Sequence, residues 1–207
     1  MQPQLPIDVD PETGVWTTDK LPMIYVPRHF FTNNHVAVEQ ALGREAYAEI
    51  LYPAGYKSAY FWCEKESKQH NINGMAVFEH YLSRLSVRGW GQFKIVASDP
   101  SKATARIELR HSSFVLAQPD AHGKLCYMFA GWFAGAMDWV IDQVTDSPNS
   151  GEQGSLRAVS RETQCASEGF EHCVFEVSRA NRHEKQHFAI TSRPSLMSRF
   201  CTGQLTE

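Results

Sequence analysis

A chain of 207 residues with a formal charge of −3 and a pI near 6.3 is long enough to bury one substantial core, and it lacks the basic surplus of a typical nucleic-acid binder. Its 43% hydrophobic and 21% charged content is ordinary for a globular protein and excludes a disordered or fibrous chain. The sequence contains no run of about 18 apolar residues, so we expect no membrane span.

The first segment, residues 1–20, contains three prolines and does not show the basic-then-apolar order of a secretory signal. We therefore predict an irregular arm on the surface and a cytoplasmic location. Because cytosolic thiols stay reduced, the five cysteines are better interpreted as metal ligands or core residues than as disulfides.

The segment from residue 21 to 90 has the apolar spacing of helices. Thr32-Asn33-Asn34 offers capping side chains for a first helix, which Pro53-Ala54-Gly55 should end. The next two helices are predicted from Tyr56 to Lys68 and from Asn71 or Asn73 to near Gly89.

The next part of the sequence shows the residue pattern of β-strands. Phe93–Ala97 and Ala105–Arg110 flank the turn-forming Ser98–Lys102, which predicts a β-hairpin. Ser113–Gln118 can extend the second strand or bend away from it.

Helical spacing returns from Leu125 to Val144, where Gly131 and Gly135 leave a stripe that another backbone or a ligand could approach closely. Arg157–Glu162 and Val174–Arg179 are predicted as paired strands after a loop at Asp146–Gly154. The expected fold is one α+β domain, with an antiparallel β-sheet flanked by helices.

Two thiols and a carboxylate lie around the turn between the last two strands: Glu162, Cys165 and Cys173. Thiolate sulfur and carboxylate oxygen are good zinc ligands, and a short connection holds them together. A tetrahedral site needs a fourth ligand. Cys126 is the best-placed remaining cysteine, and His172 is the competing candidate.

The motifs Leu125-Cys126-Tyr127-Met128, Gly131-Trp132-Phe133-Ala134-Gly135 and Glu162-Thr163-Gln164-Cys165, with Cys173 eight residues later, lie within residues 91–179. This part of the chain resembles the 4-vinyl reductase domain family. That family includes bacteriochlorophyll-related vinyl reductases and the sensory domains of phenol-responsive transcription activators. In the phenol sensors these positions bind zinc, so the resemblance implies that Cys126, Glu162, Cys165 and Cys173 are zinc ligands.

The resemblance divides the chain into an extended arm (1–20), a helical segment (21–90), a 4-vinyl-reductase-like zinc-binding region (91–180) and a polar tail (181–207). Leu21-Pro-Met-Ile-Tyr-Val-Pro27 looks like stand-alone family members associated with bacterial degradation of methylated amines such as dimethylglycine. The implied function is a zinc-containing accessory or sensory domain. It would bind a small aromatic or methylated-amine-related ligand, or serve as a small subunit of an oxidative demethylase.

The alternative is an enzyme in its own right, either a tetrapyrrole vinyl reductase or a zinc hydrolase. Three thiolates and a carboxylate would make a closed, electron-rich zinc site that is a poor Lewis acid. The sequence also shows no motif for binding a hydride donor. Both points favour the non-catalytic interpretation.

His183-Glu184-Lys185-Gln186-His187 matches the zinc-peptidase pattern His-Glu-x-x-His. Zincin helices are half buried, whereas the residues around this match are almost wholly polar. We therefore interpret the segment as solvated.

An aromatic stripe that includes Trp132 and Phe133 could line a small-molecule pocket, with His80 orienting a polar group of the ligand. The competing interpretation makes these side chains ordinary core residues. The surplus of aromatic residues and the proline-rich arm predict an exposed apolar surface, and hence a homodimer or a complex with a larger enzyme.

Overall fold

The computed structural model describes residues 5–144 and 157–185. The strands are β1 (Ile7–Val9), β2 (Trp16–Thr18), β3 (Leu21–Met23), β4 (Gln92–Asp99), β5 (Thr104–Arg110), β6 (Ala158–Gln164) and β7 (Cys173–Arg179). The helices are α1 (Arg28–Leu42), α2 (Arg44–His70), α3 (Met75–Val87), α4 (Ser113–Ala117) and α5 (Met128–Val144).

The main sheet has the order β4-β5-β7-β6, and every neighbouring pair is antiparallel. Helix α5 packs against β6 and β7, and α2 packs against α5. This arrangement confirms the predicted α+β fold and both predicted strand pairs. Helix α4 shows that the chain bends away after β5. The predicted loop at Asp146–Gly154 and the residue Cys201 lie outside the described residues.

The N-terminal arm is more regular than the sequence indicates. Strands β1 and β2, where the sequence predicted irregular structure, form a small antiparallel sheet with β3, which lies at the start of the segment predicted to be helical. Asp19 and Lys20 connect β2 to β3 and adopt positive φ angles of 52° and 60°. Such a two-residue turn matches the twist of its flanking strands. Its tip brings Asp19 into contact with the helices.

Pro53 does not end a helix, so the predicted boundary at Pro53-Ala54-Gly55 is wrong. Helix α2 runs through Pro53 for 27 residues, and the break from α1 falls at Gly43, where φ is +82°. A Cβ atom at Gly55 would lie 2.4 Å from Cδ1 of Trp132. Gly55 therefore allows α2 to pack against Trp132. This buried contact outweighs the loss of the backbone hydrogen bond that Pro53 cannot donate.

Gly131 and Gly135 allow the backbones of α2 and α5 to touch, as their spacing predicted. A Cβ atom at Gly131 would lie 2.2 Å from the carbonyl oxygen of Tyr52, and one at Gly135 would lie 2.2 Å from that of Tyr56. No larger residue fits either position unless the helices move apart.

Asp138, buried on α5, joins three elements. Its carboxylate accepts hydrogen bonds from the hydroxyl of Tyr56 (2.6 Å) and from the backbone N–H groups of Arg157 (2.8 Å) and Ala158 (2.7 Å). Burial raises the pKa of Asp138 to about 7. The contacts fix the first residue of β6 against α2 and α5.

Among the described residues, no helix is long and apolar enough to cross a bilayer.

We expect Gly135→Ala to lower the free energy of unfolding by about 3 kcal/mol, because the added methyl group overlaps the carbonyl oxygen of Tyr56. This loss should appear even though alanine favours an isolated helix over glycine by about 1 kcal/mol. Urea unfolding measures the difference. The control is Ser83→Ala on the exposed face of α3, which should change stability by less than about 0.5 kcal/mol. A Gly135→Ala protein as stable as the parent would contradict the packing argument.

Candidate metal centre and the adjacent groove

Three segments of the chain supply the four predicted metal ligands. Cys126 lies just before α5, Glu162 lies on β6, Cys165 follows β6, and Cys173 opens β7. All four residues are buried. The structure therefore brings together every zinc ligand that the resemblance implies.

A β-bulge explains how Glu162 and Cys165 can both face inward. Residues three apart along a regular strand point to opposite faces. The register between β6 and β7 shifts between Glu162 and Gln164, which leaves Thr163 as the extra residue. Thr163 is exposed, whereas Glu162 and Cys165 are both buried.

The distances fit a tetrahedral ion. The Sγ atom of Cys173 lies 3.6 Å from that of Cys126 and 3.7 Å from that of Cys165. Zinc–sulfur bonds of about 2.3 Å in a tetrahedron would place sulfur atoms about 3.8 Å apart. All four ligand atoms, including a carboxylate oxygen of Glu162, lie within 4.8 Å of one another.

Glu162 presents a free oxygen to this cluster. Its Oε2 atom accepts a hydrogen bond from the backbone N–H of Cys126 at 2.9 Å. Its Oε1 atom is buried and has no hydrogen-bond partner among the described residues. Leaving a buried carboxylate oxygen without a partner costs at least about 1–3 kcal/mol. A bound cation would remove that cost.

The thiols also indicate a missing positive charge. Hydrogen bonds from Cys126 and Cys173 hold the pKa of Cys165 well below its usual range. Hydrogen bonding to Cys165 and Cys173, together with burial, raises the pKa of Cys126. Burial raises the pKa of Glu162 to about 9. These groups therefore compete for protons within one buried cluster. A divalent ion would displace the remaining protons.

Two serines support the sulfur atoms, and the sequence did not identify either. The hydroxyl of Ser112 lies 3.0 Å from Sγ of Cys126, and the hydroxyl of Ser167 lies 3.1 Å from Sγ of Cys165. Ser112 precedes α4 and belongs to none of the motifs. Only the folded chain shows its role. Ser167 lies in the short turn after Cys165, where a hydroxyl beside a ligand was a weak signal.

An open groove runs beside this centre between α2, α5 and β6, and we call it the Glu162 groove. Its volume is about 470 Å³. Its lining residues are Ala48, Glu49, Tyr52, Pro53, Lys124, Tyr127, Ala130, Val159, Ser160, Arg161, Glu162, His183 and Glu184. Glu162 thus belongs both to the ligand cluster and to the groove wall.

Part of the His-Glu-x-x-His match borders the same groove, but its glutamate is already engaged. Glu184 accepts a hydrogen bond from the backbone N–H of Asn181 at 2.8 Å, and the side chain of Asn181 accepts one from the N–H of Glu184 at 2.9 Å. Glu184 also pairs with Arg161 at 2.6 Å. These contacts make Glu184 part of a helix cap rather than a general base. His187 lies outside the described residues.

The three residues predicted to bind a ligand do not line the Glu162 groove. Phe133 is fully buried, with its ring centroid 4.9 Å from that of Phe175, and Trp132 packs edge-on against Trp90 at 5.4 Å. His80 lies elsewhere, and its Nε2 atom is 2.8 Å from a carboxylate oxygen of Glu66. Trp132 and Phe133 are packed side by side with core aromatics, and His80 belongs to a separate polar cluster.

Comparison with known proteins supports the fold. The chain is similar to the phenol-responsive sensory domain of the transcription activator PoxR, solved with phenol, at a TM-score of 0.70 and 13% identity. The match covers 91% of this chain and 92% of that one. The predicted likeness to the phenol sensors is therefore confirmed at the level of the fold.

Two other solved structures are more distant. A trafficking protein particle complex subunit 3 from Naegleria fowleri, covalently bound to palmitic acid, has a TM-score of 0.50 and 10% identity over 74% of this chain and 95% of that one. A vinyl-4-reductase family protein from Methanocaldococcus jannaschii has a TM-score of 0.46 and 15% identity over 77% and 85%.

Sequence comparison adds one family. Residues 1–96 match a family described as a domain of unknown function (DUF5943). No curated protein matches the sequence significantly.

In a His70→Gln background, which removes the separate Glu66, His70 and His80 group as a competing zinc site, Cys173→Ser should abolish stoichiometric zinc binding, because it removes the sulfur closest to both other thiols. Elemental analysis of the purified protein measures the zinc content. The matched control is Cys63→Ser, since Cys63 is equally buried but lies on α2 outside the cluster. We expect the control to retain about one zinc per chain. Equal zinc content in the two variants would contradict the assignment of Cys173 as a ligand.

Proposed function

We propose that the chain is a zinc-stabilised domain that binds a small, largely apolar molecule in the Glu162 groove. The observation that carries this proposal is the shared position of Glu162, which belongs to the ligand cluster and to the groove wall. A molecule in the groove would contact the same residue that helps to hold the ion.

The groove has the size and lining of a small-molecule site. Such sites are mostly apolar clefts of about 300–1,000 Å³ with a few polar groups at fixed positions. Ala48, Tyr52, Pro53, Ala130 and Val159 provide the apolar surface. Lys124 and Arg161 also line the groove, and each is paired with a glutamate, Lys124 with Glu168 at 3.2 Å and Arg161 with Glu184 at 2.6 Å, so the lining favours an uncharged ligand.

The walls of the groove are held in place independently of any ligand. The hydroxyl of Tyr52 accepts a hydrogen bond from the backbone N–H of Ser160 at 3.0 Å, which joins α2 to β6. The hydroxyl of Tyr127 donates to Glu39 at 2.6 Å and lies 3.1 Å from His35. A preformed site loses less entropy when it binds.

The similarity to a phenol-responsive sensory domain supports ligand binding as the type of function. Phenol is therefore a reasonable first probe of the aromatic class, and dimethylglycine is the matching probe of the methylated-amine class. Zinc would be held by Cys126, Glu162, Cys165 and Cys173, and it would fix the starts of α5 and β7 to the end of β6. In this role the ion shapes the groove and takes part in no reaction.

The alternative is a zinc hydrolase, in which Glu162 would yield its place to water. Catalytic zinc keeps one coordination position open. Glu162→Cys distinguishes the two functions, because a fourth thiolate should preserve a structural ion and block an exchangeable position. We expect the variant to keep its zinc and its fold. A zinc-loaded, folded Glu162→Cys protein that loses a measurable hydrolytic activity would favour the enzyme.

Ala48→Phe should abolish binding at the groove, because the larger side chain enters it from α2. Isothermal titration with phenol, and separately with dimethylglycine, measures the effect, and we expect phenol binding to weaken at least tenfold. Ala46→Phe places the same side chain on an exposed position of the same helix and should bind like the parent. Equal affinity in the two variants would contradict the groove as the site. Binding of dimethylglycine alone would change the ligand class.

Self-association stays a prediction, and exposed apolar side chains between β3 and the first turn of α1 support it. Ile24, Tyr25 and Phe30 are 83%, 67% and 57% exposed. Large apolar side chains exposed so close together in sequence are typical of an interface. Sedimentation velocity should show a dimer, and Ile24→Asp should shift it toward monomer. A parent protein that remains monomeric up to high concentration would contradict dimerisation.

The role as a small subunit of an oxidative demethylase also stays a prediction, made from the resemblance alone. A pulldown with the purified chain tests it. Recovery of a larger oxidoreductase would support that role, and it would not change the identity of the metal ligands.

A further inference from the structure

A second cluster of metal-ligating side chains lies away from the cysteine centre, where α2 ends and α3 passes it. Glu66 and His70 lie one turn apart on α2, and His80 faces them from α3. We call these three residues the Glu66 cluster. Their ligand atoms all lie within 4.8 Å of one another.

Both imidazoles point at one carboxylate oxygen. The Oε2 atom of Glu66 lies 2.8 Å from Nε2 of His80 and 3.3 Å from Nε2 of His70. In octahedral or tetrahedral coordination with bonds of about 2.1 Å, neighbouring ligand atoms lie about 3.0–3.4 Å apart. The 3.3 Å distance from His70 lies within that range, and the 2.8 Å distance from His80 is slightly shorter.

The second carboxylate oxygen of Glu66 makes no hydrogen bond within the described residues. The side chain of Glu66 is fully buried, and its Oε1 atom has no hydrogen-bond partner among the described residues. The charge of Arg88 is close enough to act on Glu66, but the Nε and Nη2 atoms of that guanidinium are buried without hydrogen-bond partners, and none of its atoms bonds to Oε1. A buried carboxylate held only through one oxygen is costly unless a cation binds the other.

Neighbouring residues fix the orientation of His80 and leave the cluster partly exposed. The indole of Trp62 stacks on the ring of His80 with centroids 5.4 Å apart, which fixes the plane of that imidazole. The side chains of His70 and His80 are 34% and 23% exposed, so the cluster borders the surface.

The N-terminal hairpin adds a second carboxylate at the edge of the cluster. Asp19, at the left-handed tip between β2 and β3, places Oδ1 3.8 Å from Nε2 of His70. Arg84 binds the same carboxylate, with Nη2 2.9 Å from Oδ2, and so orients it. A carboxylate held in this way is well placed to complete a coordination sphere.

We propose that Glu66, His70 and His80 form a second metal site, which binds a divalent transition-metal ion through two imidazole nitrogens and a carboxylate, with Asp19 beside it. Two histidines and one carboxylate suit zinc, iron(II), cobalt(II) and related ions rather than calcium or magnesium. The set differs from the cysteine centre in having no sulfur. It leaves coordination positions for water or for a ligand atom.

This proposal does not depend on the function proposed for the Glu162 groove. The competing interpretation of the same contacts is a plain hydrogen-bonded network, in which both imidazoles donate to Glu66. That network would leave Oε1 of Glu66 unsatisfied and would bind no metal, so metal titration separates the two interpretations.

Cobalt(II) is the probe, added to the full-length chain after one molar equivalent of zinc, which the thiolates of the cysteine centre take first and which leaves the Glu66 cluster free. Equilibrium dialysis should show about one bound cobalt per chain beyond the zinc. The bound cobalt should give weak visible bands and no thiolate charge-transfer band, which excludes exchange into the cysteine centre. His80→Gln should weaken cobalt binding at least tenfold. The control, His29→Gln, changes an exposed histidine on α1 and should bind cobalt like the parent.

His70→Gln guards against a folding artefact, because His70 is partly exposed and its replacement should leave the thermal unfolding midpoint nearly unchanged. It should also weaken cobalt binding at least tenfold. The proposal is overturned if the zinc-loaded parent takes up no cobalt. It is equally overturned if folded His70→Gln and His80→Gln proteins bind cobalt as tightly as His29→Gln.

Discussion

The backbone contact between α2 and α5 determines where both the cysteine centre and the Glu162 groove lie. Gly131 and Gly135 let α5 approach the carbonyl groups of Tyr52 and Tyr56, and Gly55 makes room for Trp132 in return. That contact fixes the start of α5, and with it Cys126, relative to the strands that carry the other three ligands. The groove lies beside this contact and is lined by residues of both helices and of β6.

The cysteine centre lies where the start of α5, the end of β6 and the start of β7 meet, and these elements also pack directly against one another. Cys126 and Cys173 are 47 residues apart in sequence, and their sulfur atoms lie 3.6 Å apart in the fold. Serine hydroxyls and backbone N–H groups surround the sulfur atoms, and Glu162 has one oxygen to spare. These features favour a closed site that stabilises the fold. Because Glu162 also borders the groove, the occupancy of one site can influence the geometry of the other.

Spacing along the chain was sufficient to predict the two strand pairs β4–β5 and β6–β7 and the long helix α5, since these depend on local patterns. The grouping of Cys126 with Glu162, Cys165 and Cys173 came from the family resemblance, because spacing left His172 as a competing fourth ligand. The sequence pattern failed at Pro53 and Gly55. These residues are typical of a helix end, but here they lie inside α2, where Gly55 makes room for a helix contact. The sequence pattern also missed β1, β2 and β3, which are too short to show alternation of apolar and polar residues. The Glu66 cluster could not be predicted, because His80 and Asp19 approach α2 only through tertiary folding.

The central claim is that one zinc ion is held by three sulfur atoms and one oxygen atom. X-ray absorption at the zinc edge of the purified protein, with the Glu66 cluster blocked by His70→Gln, measures that first shell directly. It should fit three sulfur neighbours at about 2.3 Å and one oxygen at about 2.0 Å. A shell made only of nitrogen and oxygen would contradict the assignment of Cys126, Cys165 and Cys173, and with it the proposed link between the ion and the groove.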